Sequence, residues 1–260
     1  MVRATKSAEQ GEGQIGNPET AAVWAPLLAE LDRAGSPRAG LVCLSPPGFG
    51  APLPAGFGAT VGEYRDWLID ALEDLGEPVD LVGHDWGGAH VLNVAVSRPE
   101  LLRSWASDVI GIFDPGYVWH ESAQRWQTPG AGKADVAERF GGAVETRVRS
   151  LVELGMSRPV AERIAAAQGE TMGQAVLALY RSAAQPVMAE LGRYLEHASQ
   201  RPGLALLATE DHVVGTDRQR RRAARRAGAR VETLNGLGHW WMTQDPARGA
   251  HALTTFWAQC

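Results

Sequence analysis

The stretch from Val79 to Arg98 restricts what this chain can fold into more than any other. Val79–Val82 is a short apolar run with β-branched residues, which reads as a buried strand. Gly83-His84-Asp85-Trp86-Gly87 follows with the form Gly-x-Asp-x-Gly, and Ala89–Val96 reads as a helix. A strand, a glycine-flanked turn and a helix make a sharp elbow. Its glycines let backbone segments approach closely, so the central residue stands strained and exposed. That residue is Asp85. A serine in such a position attacks carbonyls, whereas a carboxylate is suited to displacing a leaving group from an sp³ carbon, giving an ester that an activated water must cleave. Such a site needs a base for the water, an acid partner for the base, and donors for developing negative charge. The plainer alternative is an Asp that only caps the helix behind it.

On either side of the elbow the pattern alternates between strands and helices. Residues 1–14 are polar and glycine-containing and are expected to be loose. Ile15–Thr20 reads as a turn and Ala21–Asp32 as a helix with Trp24, Leu27, Leu28 and Leu31 on one face. Gly40–Ser45 is a predicted strand followed by the loop Pro46-Pro47-Gly48-Phe49-Gly50, and Val61–Leu75 is an amphipathic helix. Leu101–Ile112 supplies a further strand. This alternation predicts a mainly parallel, doubly wound sheet, in which ligands bind beyond the carboxyl ends of the strands. Asp85 stands at such an end.

From about Asp114 to Ser199 no strand is evident, and helical periodicity runs through Ala143–Leu154, Arg158–Ala167 and Met172–Ala184. The expected organisation is an α/β core of residues 1–113 and 200–260, with 114–199 inserted as a helical lid. The strand pattern resumes at Leu204–Ala208 and Arg230–Leu234, with helices at Thr216–Ala227 and Pro246–Trp257. Asp211 falls just past the first of these strands, and His239 lies in a glycine-rich loop after the second. A nucleophile, an acid and a histidine thus follow one another in chain order. His239 can take a proton from water if Asp211 holds its other ring nitrogen.

These residues resemble those of α/β-hydrolase-fold enzymes of the epoxide hydrolase and haloalkane dehalogenase group, over about residues 15–258. Gly-His-Asp85-Trp-Gly-Gly carries the likeness most specifically, with Leu44-Ser-Pro-Pro-Gly-Phe-Gly and Gly-His239-Trp-Trp beside it. The resemblance implies Asp85 as nucleophile, His239 as base and Asp211 as its charge partner, with Asp108 as the other candidate acid. It implies that the turn Ile15-Gly16-Asn17-Pro18 stands where the family has His-Gly-x-Pro, so that the backbone N–H groups of Asn17 and Trp86 would form an oxyanion hole. Family members have strands before that turn. Here the preceding residues have little strand character, so the sheet is expected to be shortened or to lack strands on that side. Tyr180 resembles a lid tyrosine that protonates a departing epoxide oxygen. A second such tyrosine is missing from Ser122–Gln124, and Tyr117 is the nearest candidate. In dehalogenases, Asn17 and Trp86 would instead cradle a halide. His84, Trp126, Trp240 and Asp108 are expected to wall the substrate pocket. The reading is an epoxide hydrolase-like enzyme, with a dehalogenase or a non-hydrolytic or binding member of the fold as alternatives.

The chain has 260 residues, a net charge of −5 and 45% hydrophobic residues, which fits one large α/β unit and gives no bias toward nucleic acid. No apolar run reaches membrane-spanning length and no secretory leader is evident, so cytoplasmic residence is the expectation. Two cysteines, Cys43 and Cys260, suggest neither a disulfide framework nor a metal site, and no cofactor is expected. The basic run Arg218–Arg226 reads as a solvated helix face. The expected partner is a small, largely apolar molecule, with a homodimer left open.

Overall fold

The structure is a computed structural model that describes residues 1–3, 20–35 and 40–260. Its described strands form one six-stranded sheet of order β2-β1-β3-β4-β5-β6. These are β1 (Val2–Arg3), β2 (Leu41–Val42), β3 (Val79–Gly83), β4 (Leu102–Ser107), β5 (Gly203–Ala208) and β6 (Arg230–Leu234). From β3 to β6 every pairing is parallel, whereas β1 runs antiparallel to both neighbours. Helices α1 (Ala25–Arg33), α2 (Val61–Leu75) and α3 (Trp86–Ser97) lie between the early strands. Six more helices, α4 (Glu121–Gln127), α5 (Ala131–Gly141), α6 (Val144–Glu153), α7 (Arg158–Ala167), α8 (Glu170–Ser182) and α9 (Val187–Leu191), separate β4 from β5. Helix α10 (Asp217–Arg226) links β5 to β6, and α11 (Trp241–Gln244) and α12 (Pro246–Trp257) close the chain. No helix among the described residues is long and apolar enough to cross a membrane.

Local chemistry explains the boundaries. Thr60 and Glu63 form a reciprocal capping box at the start of α2, and Gly76 ends it in a left-handed conformation at φ 70°. Val61, Tyr64, Leu68 and Leu72 form its buried stripe. Helix α3 is buried from Trp86 through Ala95, because it packs between the sheet, α2 and the segment before β5. All five residues of β3 are buried as well, as expected for a strand covered on both faces.

Four expectations change. Residues 1–3 are not loose. Met1 and Val2 are fully buried, Val2 pairs with both Val42 and Leu81, and the Met1 amino group donates to the Val82 carbonyl at 2.7 Å. Burying two apolar side chains and bridging the ladders of β2 and β3 outweighs the fraying usual at a terminus. The strand predicted over Gly40–Ser45 narrows to Leu41–Val42, its length matched to its two-residue partner. The one predicted over Leu101–Ile112 stops at Ser107, and Ile110–Phe113 winds into a 3₁₀ turn. The basic helix α10 is also less solvated than its composition suggests. Arg220 is 4% exposed and donates to the Ala208 carbonyl at 2.8 Å, while Arg222 grips Asp114 with two bonds of 2.6 Å.

Two glycine substitutions test this packing. A Cβ on Gly203 would sit 2.2 Å from the ring of Trp105, which is fully buried. Gly203→Ala is therefore expected to lower stability by about 3 kcal/mol in urea unfolding. Gly62, on α2, has nothing within 4 Å of its would-be Cβ. Gly62→Ala should raise stability by roughly 0.5–1 kcal/mol.

Candidate active site

Asp85 has φ 48° and ψ −129°, a conformation rarely open to a residue with a side chain. Holding it there costs on the order of 1–3 kcal/mol, which the surroundings must supply. They do so by tight packing. A Cβ on Gly83 would lie 2.3 Å from the Gly87 carbonyl oxygen, and one on Gly88 would lie 2.7 Å from Ser107 Oγ. The Asp85 amide donates to Asp108 Oδ1 at 3.1 Å, which ties the bend to the loop after β4.

The residues expected to act together do meet. His239 Nε2 lies 3.6 Å from Asp85 Oδ1, and its Nδ1 lies 2.8 Å from Asp211 Oδ2. Asp211 is 3% exposed and also accepts from the Val213 amide at 3.0 Å. Burial alone would raise its pKa. Attraction and hydrogen bonding from His239, the Val213 amide and the nearby His84 outweigh that and hold it at about 2. Asp211 is thus a carboxylate in the folded protein, fit to fix the imidazole with its proton on Nδ1.

Asp108 serves a different partner. Its Oδ2 takes His84 Nδ1 at 2.5 Å and the Trp241 indole at 2.7 Å. With the Asp85 amide on Oδ1, both oxygens are occupied by groups other than His239. Between the two acids proposed from the sequence, the geometry couples Asp211 to the histidine. His84 and Asp108, expected on the pocket wall, do not line the cavity. They are buried behind it, where a paired imidazole and carboxylate satisfy one another away from water. The His84 and His239 rings still approach to 4.6 Å between centroids.

Above Asp85 opens a cavity of about 640 Å³, which reaches Trp126, Tyr180, Asp211, His239 and Trp240. That volume suits a drug-sized molecule. A second space of about 20 Å³, large enough for a single atom-sized group, touches Asp85, Trp86, Tyr117, Trp119 and Tyr180. Trp119 stacks on Trp86 with 5.8 Å between centroids, and its indole N–H is buried without a hydrogen-bond acceptor among the described residues. Such a donor costs stability unless a ligand satisfies it. Sequence reasoning missed Trp119. It was legible only as one aromatic among several after β4, because no spacing distinguishes a niche-lining indole from a packed one.

The remaining candidates divide. Trp86 occupies the first helical position of α3, where an amide has no acceptor within the helix. Asn17 lies outside the described residues, as does the whole turn Ile15–Pro18. Tyr180, 4% exposed, lines both spaces. The Tyr117 hydroxyl donates to the Val213 carbonyl at 2.6 Å, and burial followed by repulsion from Asp85 and Asp211 raises its pKa. It is a poor proton donor to anything else. His120 caps α4, accepting from the Ala123 amide at 3.3 Å, and burial first, with His239 and Arg139 after it, lowers its pKa to about 4. Among the described residues, no group of three or more His, Cys, Asp or Glu side chains could hold a metal ion.

The depressed pKa of Asp211 has a measurable sign. Its ordinary value is 3.8 and its folded value is about 2. Its contribution is therefore present above pH about 4 and lost as pH falls toward 2, an amount of about 2 kcal/mol. The wild-type protein should lose stability more steeply over that window than Asp211→Asn, as read from urea midpoints at each pH. Equal slopes would show that the Asp211 carboxylate gains nothing from His239.

Comparison with known proteins agrees with this architecture. Residues 16–252 match the model of the alpha/beta hydrolase family. A curated relative, the (E)-2-((N-methylformamido)methylene)succinate hydrolase of Acinetobacter baylyi, is 30% identical over 104 residues, which is 38% of this chain and 38% of that protein. The matched part thus spans about two fifths of the relative. Among solved structures, a haloalkane dehalogenase loop variant from Bradyrhizobium elkanii superposes with TM-score 0.70 at 19% identity, covering 98% of this chain and 91% of that one. E-2-(acetamidomethylene)succinate hydrolase gives 0.66 at 15%, covering 99% and 94%. The thioesterase domain from the curacin biosynthetic pathway gives 0.69 at 14%, covering 98% and 93%. At these identities the solved structures speak for the fold alone. With the match running through both the elbow and the histidine loop, the chain belongs to the alpha/beta hydrolase family.

Proposed function

We propose that this hydrolase attacks an sp³ carbon through an ester on Asp85, and that its substrate is an epoxide. The observation that carries the reading is Asp85 strained at the elbow, 3.6 Å from a histidine whose other nitrogen is held by a buried carboxylate. An Asp85 oxygen attacks a ring carbon, the carbon–oxygen bond breaks, and the departing oxygen takes the Tyr180 phenol proton. His239 Nε2 then removes a proton from water, whose oxygen adds to the carbonyl carbon of the ester. Collapse releases the diol, which takes the proton back from His239. The remaining proton of the new Asp85 carboxyl returns to the Tyr180 phenolate. The sum is epoxide plus water to diol. In this reading Trp86 N–H steadies the oxyanion, and residues 114–199 act as a lid over a core of 1–113 and 200–260.

Acyl transfer fits less well. A carboxylate attacking a carbonyl would make an anhydride, in which the nucleophile is the better leaving group. One observation favours a second reading, haloalkane dehalogenation. The small niche beside Asp85 is the size of one atom, and the unsatisfied Trp119 N–H stands at its wall with Trp86. Indole donors suit a departing halide as phenols suit an alkoxide.

Styrene oxide and 1-bromobutane separate the two by the product formed, diol or bromide. We expect diol; bromide without diol would replace the first reading with the second. In either case Asp85→Asn should lower kcat by about 10³ or more. His239→Gln should accumulate an alkylated peptide containing Asp85, visible by mass spectrometry after a rapid quench. An unmodified peptide in a variant that still binds substrate would exclude the ester.

A further inference from the structure

The cavity is not uniformly apolar. Three arginines line it, Arg125, Arg139 and Arg147, and they differ in how their charge is met. Arg125 pairs with Asp135 at 3.0 Å and Glu121 at 2.6 Å, and Arg139 pairs with the same Asp135 at 2.7 Å. Asp135 also accepts the Trp126 indole at 2.6 Å, so this cluster is a closed network of the α4–α5 wall.

Arg147, on α6, is different. It makes no ion pair with any carboxylate of the described residues, and Glu145, on the preceding turn, is engaged by Arg158 at 3.6 Å. Its partners are backbone carbonyls. Nε donates to Ala165 at 3.2 Å, and Nη1 donates to Phe140 at 3.1 Å and to Gly142. These carbonyls lie at the ends of α5 and α7, where helices leave acceptors unsatisfied and favour a cation. A guanidinium has five N–H donors, and three of them are used here, so the two on Nη2 remain. The side chain is half-buried, held by neighbouring helices, and forms part of the cavity wall beside Thr146, Ser150 and Gln168. Leu151, on the same helix, and Leu154, just past its end, line the same cavity and offer it apolar surface.

A cation anchored by carbonyls, with its rotamer fixed and its charge unmet, is preorganised for an anion entering the cavity. We propose that Arg147 binds a carboxylate on the substrate, so that the enzyme takes amphipathic acids with an apolar body rather than neutral hydrocarbons. The inference rests on the cavity above Asp85 being the substrate site, but not on which electrophile reacts there.

Binding of unreactive probes tests it apart from turnover. Hexanoate, octanoate, decanoate, dodecanoate and 4-ethylbenzoate, each beside its corresponding primary alcohol, would be titrated calorimetrically into the wild type and into Arg147→Gln and Arg147→Lys. The wild type should bind at least one acid about tenfold or more tightly than its alcohol, with the preference weakening as salt is raised. Arg147→Gln should erase that preference while leaving alcohol binding within about twofold, and Arg147→Lys should restore part of it. Because Arg147 also ties the ends of α5 and α7, thermal unfolding of each variant is the control for folding. Should Arg147→Gln fail to fold, the wild type's acid-over-alcohol preference and its salt dependence decide alone. Acids and alcohols binding alike in the wild type, or an acid preference that survives in a folded Arg147→Gln, overturns the proposal. Acid binding that depends on Arg147, without any ester on Asp85, would leave this inference standing and remove the proposed reaction.

Discussion

The candidate site depends on how closely β3 and α3 approach one another. The turn between them is tight, and the glycines on either side are what let the two segments come so close. At Gly83 an added Cβ would meet backbone that cannot move, 2.3 Å from the Gly87 carbonyl. Asp85, at the middle of the turn, is then forced out of the common backbone regions, at φ 48°. A flexible loop could not hold an acid aimed at a partner from the far end of the chain. A bend wedged between a fully buried strand and an almost fully buried helix can.

Around that bend two buried carboxylates divide the work. Asp108 receives the Asp85 amide, His84 and the Trp241 indole, so it fixes backbone and packing. Asp211 receives His239 and the Val213 amide, so it fixes that imidazole. Each buried negative charge is compensated by several donors, which is the condition under which such charges are tolerated. Two imidazoles standing 4.6 Å apart would repel if both were protonated. Tethering each ring to its own acid keeps the pair ordered while one of them handles protons.

The alternating strands and helices, the elbow, and the chain order of Asp85, Asp211 and His239 were legible in the sequence because each rests on local signals. These are periodicity, glycine spacing and strand ends. The helices Val61–Leu75, Arg158–Ala167 and Pro246–Trp257 and the strand Arg230–Leu234 fall where their patterns place them, with a capping box opening the first helix, Pro159 in the first turn of the second and Asp245 capping the third. What escaped depends on contacts distant in sequence. Val2–Arg3 has no strand signal of its own and becomes a strand only because two other edges lie open to it. Asp108 and His84 look like pocket residues until the structure shows them bonded to each other. Trp119 and Arg147 show nothing in sequence to set them apart from neighbouring aromatics and arginines. Their distinction is a missing partner, and a missing partner is a property of the fold.

That last distinction also orders the cavity. Arg125 and Arg139 are met by Asp135 and Glu121 and serve the wall itself, while the Trp119 N–H and the outer face of Arg147 are left without a partner among the described residues. Buried or half-buried polar groups without partners are expensive, so a chain that keeps them gives up stability for something outside itself. Of the two, Trp119 lines the atom-sized niche that Asp85 shares, where a leaving group would depart. Arg147 lines the larger cavity, where the rest of a substrate would lie. In the proposed reaction the former would bear on how a bond breaks, and the latter on which molecule is held while it does.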